Sequence, residues 1–233
     1  MKRLLLLITA LAALVVAIPV IAQAAPKPGK GKPTPPAKPA PGGSNLTIAA
    51  RPNPTVFRGA TVISGSLRGP DNAGKTVRVD GFPFGTGIRD ASTKKTDAKG
   101  DYTFTRRPPR NTAFQAVADT GAAYGLAVSP AVFVKVRIRM GLRVSDATPR
   151  VGQLVRFRGQ ACPAHDGLLV KIQRKTRTGT FRTVRRTRLR AATRCSVYRR
   201  AFRIFRDGTY RATSDDADHG RGFSRTRFLN TPR

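Results

Sequence analysis

Gly69-Pro70-Asp71-Asn72-Ala73-Gly74-Lys75-Thr76 fits the phosphate-loop spacing G-x-x-x-x-G-K-[ST]. Such a loop holds phosphate because backbone N–H groups at the start of a following helix point at the anion. Here the next residues are Val77-Arg78-Val79-Asp80-Gly81-Phe82-Pro83, β-branched and then broken by Gly and Pro. The spacing therefore predicts a loop between two strands, with no nucleotide or other cofactor bound. Ser92-Thr93-Lys94-Lys95 matches S-x-x-K, but that nucleophile needs a helix N-terminus and companion Ser-x-Asn and Lys-Thr-Gly elements, which the sequence lacks. Asp216-x-Asp218-x-Gly220 has the beginnings of a calcium loop without the closing bidentate Glu. It is expected to be a strand-connecting loop whose acids offset nearby Arg. His165 (beside Asp166) and His219 are the only imidazoles. Nothing in the order of residues brings them to each other or to a serine, so they are expected to be separate loop residues. No catalytic, cofactor-binding or metal-ligating residue is assigned, and no small-molecule substrate.

Composition narrows the chemistry further. The 12 acidic residues are all Asp, there is no Trp, and there are two Cys. A Glu base, a four-Cys zinc site and a Trp sugar platform are excluded. Against the 12 acids stand 44 Lys and Arg, a formal charge of +32, far from the neutrality of most cytosolic enzymes. The excess is uneven: residues 46–138 hold 14 basic and 6 acidic side chains, residues 139–233 hold 24 and 6, and 22 of those 24 are Arg.

The elements that would position these residues begin after a leader. Met1-Lys2-Arg3, the apolar run Leu4–Ile21 and Ala22-Gln23-Ala24 have the three parts of a secretory signal peptide, residues 1–24. An uncleaved anchor is the alternative, because the run is nearly long enough to span a bilayer. If the signal is cleaved, the protein is secreted or associated with the cell envelope, and it is not an integral membrane protein. Residues 25–45 hold seven Pro, four Lys and four Gly, a composition expected of an extended, solvated linker.

The remaining residues repeat. Asn111-Thr112-Ala113-Phe114-Gln115-Ala116 aligns with Asp207-Gly208-Thr209-Tyr210-Arg211-Ala212, and the same offset of 96 carries Leu46 onto Leu142 and Asp119 onto Asp215. The register predicts two units, 46–138 and 139–233. Within them the apolar period is two, as in Val132-Phe133-Val134-Lys135-Val136-Arg137-Ile138, and turn signals such as Asp97-Ala98-Lys99-Gly100 separate short β-rich runs. The expected fold class is all-β, two tandem antiparallel sandwiches.

Asp207-Gly208-Thr209-Tyr210-Arg211-Ala212 resembles the tyrosine-corner strand of immunoglobulin-like and fibronectin-like domains, and Thr96-Asp97-Ala98-Lys99-Gly100-Asp101-Tyr102-Thr103-Phe104 is similar to the turn-and-strand of bacterial secreted immunoglobulin-like repeats. The resemblance implies that fold and an extracellular, mostly non-catalytic role. Ala212 stands where antibody domains place their second Cys, so that bridge is impossible.

Cys162 and Cys195 both fall in the second unit, and two Cys in an exported chain are expected to pair. Such a bridge contributes on the order of 3 kcal/mol by the loop-entropy account. The functional content lies in Lys171-Ile172-Gln173-Arg174-Lys175-Thr176-Arg177 and Phe181-Arg182-Thr183-Val184-Arg185-Arg186-Thr187-Arg188-Leu189-Arg190, read as two hairpin strands. Lys171, Arg174, Lys175, Arg177, Arg182, Arg185, Arg186, Arg188 and Arg190 are expected to project from the face opposite Val170, Ile172 and Val184. A ribbon of guanidinium forks suits phosphate, so the expected partner is an anionic cell-envelope polymer or other polyanion. An extracellular nucleic-acid-binding or membrane-active cationic protein is the alternative, and Arg abundance that merely confers solubility is the rival to both.

Overall fold

Alternating apolar and polar residues give a strand one buried face. In the computed structural model, which describes residues 45–70, 72–121 and 125–232, the regular structure is all β. The leader 1–24 and, except for Asn45, the linker 25–45 lie outside the described residues. The first lobe holds β1 (Asn45–Leu46), β2 (Ala49–Arg51), β3 (Thr55–Val56), β4 (Thr61–Arg68), β5 (Thr76–Pro83), β6 (Asp90–Lys95), β7 (Asp101–Arg106), β8 (Thr112–Asp119), β9 (Leu126–Val128), β10 (Val132–Val134) and β11 (Val136–Arg137). The second holds β12 (Arg139–Met140), β13 (Arg143–Val144), β14 (Gln153–Cys162), β15 (Leu169–Lys175), β16 (Phe181–Arg188), β17 (Ser196–Ile204), β18 (Gly208–Ser214), β19 (Gly222–Phe223) and β20 (Arg227–Leu229).

Each lobe is a two-layer antiparallel sandwich. In the first, β4 lies between β7 and the successive short strands β1 and β2, facing a sheet in which β5 and β8 are central. In the second, β14 lies between β17 and the pair β12 and β13, facing β16–β15–β18 with β19 and β20 along its far edge. The cores follow the period of two: Val77 and Val79 with Phe114, Ala116 and Ala118 in one lobe, Val155 and Phe157 with Tyr198, Phe202 and Ile204 in the other. Phe157 stacks on Phe202 at 4.5 Å and meets Tyr210 edge-on at 5.2 Å, a favoured aromatic arrangement.

The duplication is visible in the hydrogen bonds. The Tyr102 hydroxyl donates to Thr47 O (2.5 Å) and its twin Tyr198 donates to Gly141 O (2.7 Å). Each ring lies over a glycine of the neighbouring strand, Gly65 and Gly159, where an added Cβ would collide with the hydroxyl and with that same acceptor carbonyl. Ser129 and Ser224 likewise accept from the twin amides of Ala116 and Ala212, both at 2.9 Å. Tyr210 does not act as the tyrosine corner that its sequence resembles. Its ring fills the core, its hydroxyl has no hydrogen bond among the described residues, and its first-lobe counterpart is Phe114.

The chain passes between lobes at Ile138 without a free linker. β11 pairs with β3 of the first lobe, Gly220 N–H donates to Val136 O (2.8 Å), and Ile138 N–H donates to Gly220 O (3.1 Å). Asn111 ties the same corner: its Nδ2 donates to Ala217 O (3.3 Å) and its Oδ1 accepts from Val136 N–H (2.9 Å).

Candidate functional site

The chemical motifs of the first lobe are framework. Gly69–Thr76 joins β4 to β5, and strand rather than helix follows it, so no row of helix N-terminal amides is presented. Within the motif Asp71 lies outside the described residues. Ser92 sits in mid-strand in β6, accepting from Arg106 at 2.7 Å.

The expected basic hairpin exists as β15 and β16, with a register shift between Ile172 and Gln173 that leaves Val184 unpaired. That bulge changes which side chains share a face, and it corrects the expectation of a single Arg face. Arg185 is paired opposite buried Ile172, and its guanidinium lies 5.3 Å from the Phe202 ring, covering the open edge of the core. Arg174 and Arg182 pair with each other on the same side as Ile172, and Arg174 lines a cleft with Arg185, Phe202, Phe205 and Tyr210. Lys171 and Arg186 pair on the outer face, and Arg188 shares their parity. Arg177 lies in the turn between the strands, Lys175 is paired with Phe181, and Arg190 bridges to Val197. Lys171 is also drawn to Asp215, at 4.0 Å.

A more regular array lies on the other sheet, in strands that the sequence pattern does not single out. Arg143 of β13 pairs with Arg158 of β14, which pairs with Arg199 of β17, so three arginines stand side by side across three strands. All are exposed, and Arg156 and Arg203 lie on the same outer face. Among the described residues none of these five has a carboxylate partner. Like charges directly opposite each other cost about 0.2–1 kcal/mol per pair. The strand spacing could have revealed the row only once the pairing register was known. Elsewhere Arg211 is pressed between Phe181 (3.8 Å) and Phe223 (4.4 Å), which occupies two outer-face rings that would otherwise be open to a ligand.

The two histidines, expected to be unrelated, are neighbours at the junction of the lobes. His165 lies in the β14–β15 loop, while Asp216 and His219 lie in the β18–β19 loop, and the imidazoles meet edge to face at 4.9 Å between centroids. The loop of His165 is anchored by the Cys162–Cys195 disulfide and by Ser196, whose hydroxyl accepts from His165 N–H (2.7 Å) and donates to Asp166 (2.5 Å). Ser196 is fully buried and faces no imidazole nitrogen, so no Ser–His–Asp relay forms. His165 Nδ1 lies 2.9 Å from Asp216 Oδ2, and His219 Nε2 lies 2.9 Å from Pro109 O. A carbonyl only accepts, so His219 donates from Nε2, which in the neutral ring leaves Nδ1 bare. A carboxylate on His165 Nδ1 fixes the other tautomer, with a bare Nε2. Both bare nitrogens are buried without a partner. Leaving such an acceptor unsatisfied costs about 1–3 kcal/mol. Burial pushes the His165 imidazole below its ordinary value against the pull of Asp216, which favours the uncharged ring. Asp218, by contrast, turns away to Arg110 at 2.8 Å, which is why the Asp-x-Asp-x-Gly stretch does not converge on one ion.

Fold and surfaces together define a disulfide-stapled, strongly basic pair of tandem β-sandwiches. No family model matches the chain, and no curated protein does. Among solved structures it is similar to a tetra-tandem repeat in the extending region of a large adhesion protein, with a TM-score of 0.38 and 15% identity over 81% of this chain. The chain spans 50% of that structure's length.

Proposed function

We propose that this is an exported, non-catalytic binding or structural protein of the cell envelope whose second lobe holds an anionic polymer through arginine. The observation that carries the reading is the Arg143–Arg158–Arg199 row. Three guanidinium groups side by side on one sheet face, without a carboxylate partner among the described residues, work against folding unless negative charge arrives from outside, and a phosphate-bearing polymer supplies it in series. Lys171, Arg186 and Arg188 on the outer face of the opposite sheet offer a second, weaker track. The disulfide fits an oxidising compartment. No helix among the described residues is long and apolar enough to cross a membrane.

The test is binding of inorganic polyphosphate, and of duplex DNA beside it, from 50 mM to about 0.5 M salt. The triple variant Arg143→Ser/Arg158→Ser/Arg199→Ser should lower the slope of log affinity against log salt by about one unit for each phosphate that arginine no longer neutralises. A slope equal to that of the unaltered protein sinks the reading. DNA retained at the highest salt while polyphosphate is released points instead to a nucleic-acid-binding protein.

A further inference from the structure

We infer that His165, Asp216 and His219 form a binding site for one divalent first-row transition-metal ion of the zinc class. One ligating atom from each of the three lies within 4.8 Å of the others. The inference does not depend on the polyanion reading, since no residue of the Arg row takes part.

Three observations converge on it. The His219 side chain is only 2% exposed, yet its Nδ1 has no partner and lies 3.8 Å from Asp216 Oδ1. A buried imidazole lone pair and a carboxylate oxygen this close repel each other, whereas a cation between them satisfies both. The second ring nitrogen of His219 is already engaged in the way metal-bound histidines engage theirs: Nε2–H is held by a backbone carbonyl, Pro109 O, which fixes tautomer and ring orientation before any ion arrives. His165 offers Nδ1, 2.9 Å from Asp216 Oδ2, where the ion takes the place of the shared proton, which moves to the ring's Nε2. Finally, Asp216 is oriented from its own loop, its Oδ1 accepting His219 N–H at 2.8 Å, and the side chains of His165 and Asp216 are 15% and 18% exposed, which leaves an entry path.

The donor set selects the ion. Two imidazoles and one carboxylate suit zinc, cobalt, nickel or copper, whereas calcium and magnesium require a cage of oxygens that one carboxylate does not provide. Three protein ligands leave a fourth position for water. An ion here joins the β14–β15 loop to the β18–β19 loop beside the first-lobe residues Pro109 and Arg110, so it acts as a clamp on the junction between lobes.

His165 and His219 are the only histidines of the chain, which makes the test direct. In the untagged full chain, kept oxidised so that Cys162 and Cys195 do not compete, zinc is titrated while the side-chain nitrogen resonances of both histidines are followed. The expected result is a 1:1 endpoint at which both shift together, a cobalt complex with visible absorption, and no response to magnesium or calcium. His219→Ala should weaken zinc binding at least about 100-fold. Asp215→Asn, which removes a neighbouring acid that is not a ligand, should change it little. Should His219→Ala fail to fold, the unaltered protein decides alone. If its two histidine signals do not move at equimolar zinc, or if only one does, the inference is overturned. Equal weakening by His219→Ala and Asp215→Asn overturns it too, because a diffuse acidic loop would then be the binder.

Discussion

Each lobe closes one sheet with a tyrosine laid across a glycine, and the second-lobe copy permits a quantitative test. Tyr198 is buried at 3% exposure, and its hydroxyl is the donor that satisfies Gly141 O. Tyr198→Phe keeps the ring and removes one oxygen, leaving a part-buried carbonyl unpaired at a cost of about 1–3 kcal/mol. For a body of this size 2 kcal/mol corresponds to a fall in Tm of roughly 4–8 °C. Gly159→Ala should cost more, because the new Cβ falls inside contact distance of both Gly141 O and the Tyr198 hydroxyl, so backbone as well as side chain must shift. The combination separates the two effects: Tyr198→Phe relieves the softer clash but not the backbone one, so the double variant should recover at most part of the stability that Gly159→Ala loses. Burial raises the Tyr198 pKa above its ordinary value near 10. Its contribution is therefore complete below pH 10 and is lost as pH rises through the folded value, since the unfolded chain releases the proton first. Urea titrations at pH 7 and above pH 10 would check both points. Tyr198→Phe as stable as the unaltered protein at pH 7, or full rescue of Gly159→Ala by Tyr198→Phe, would refute the packing argument.

Two further outcomes follow from the same geometry. Arg158→Ser removes the middle member of the arginine row and should stabilise the fold by about 0.5–1 kcal/mol in low-salt thermal melts, with the gain shrinking as salt rises; destabilisation would mean that the row is not under charge strain. Asn111→Ala removes the side-chain bonds to Val136 N–H and Ala217 O and should speed tryptic cleavage at Lys135, Arg137 or Arg139 several-fold, read by mass spectrometry, while unchanged cleavage would show that strand pairing alone holds the junction.

Much of the architecture is legible in the residues because strands advertise themselves locally. A period of two in Val132–Ile138, turn glycines and an offset of 96 residues need no knowledge of distant contacts. The same locality explains why the hairpin departs from expectation. Parity alone puts Arg174 with Ile172 on β15 and Arg182 with Val184 on β16, and the bulge at Val184 shifts the count so that Arg185 joins the side of Ile172 as well. Tyr210 matches a motif by its neighbours in sequence, whereas the hydroxyls that tie strands together belong to Tyr102 and Tyr198, whose acceptors lie 55 and 57 residues away.

The β class, the duplication, the excess of arginine in the second half and the presence of only two cysteines and two histidines are readable from the residues, because composition and short-range period carry those facts. The tertiary structure alone decided which side chains meet. Strand register set Arg143, Arg158 and Arg199 in a row, and the meeting of two loops at the junction of the lobes brought His165 to Asp216 and His219. Pairing across strands and loops depends on contacts between residues far apart in the chain, and no local pattern encodes those.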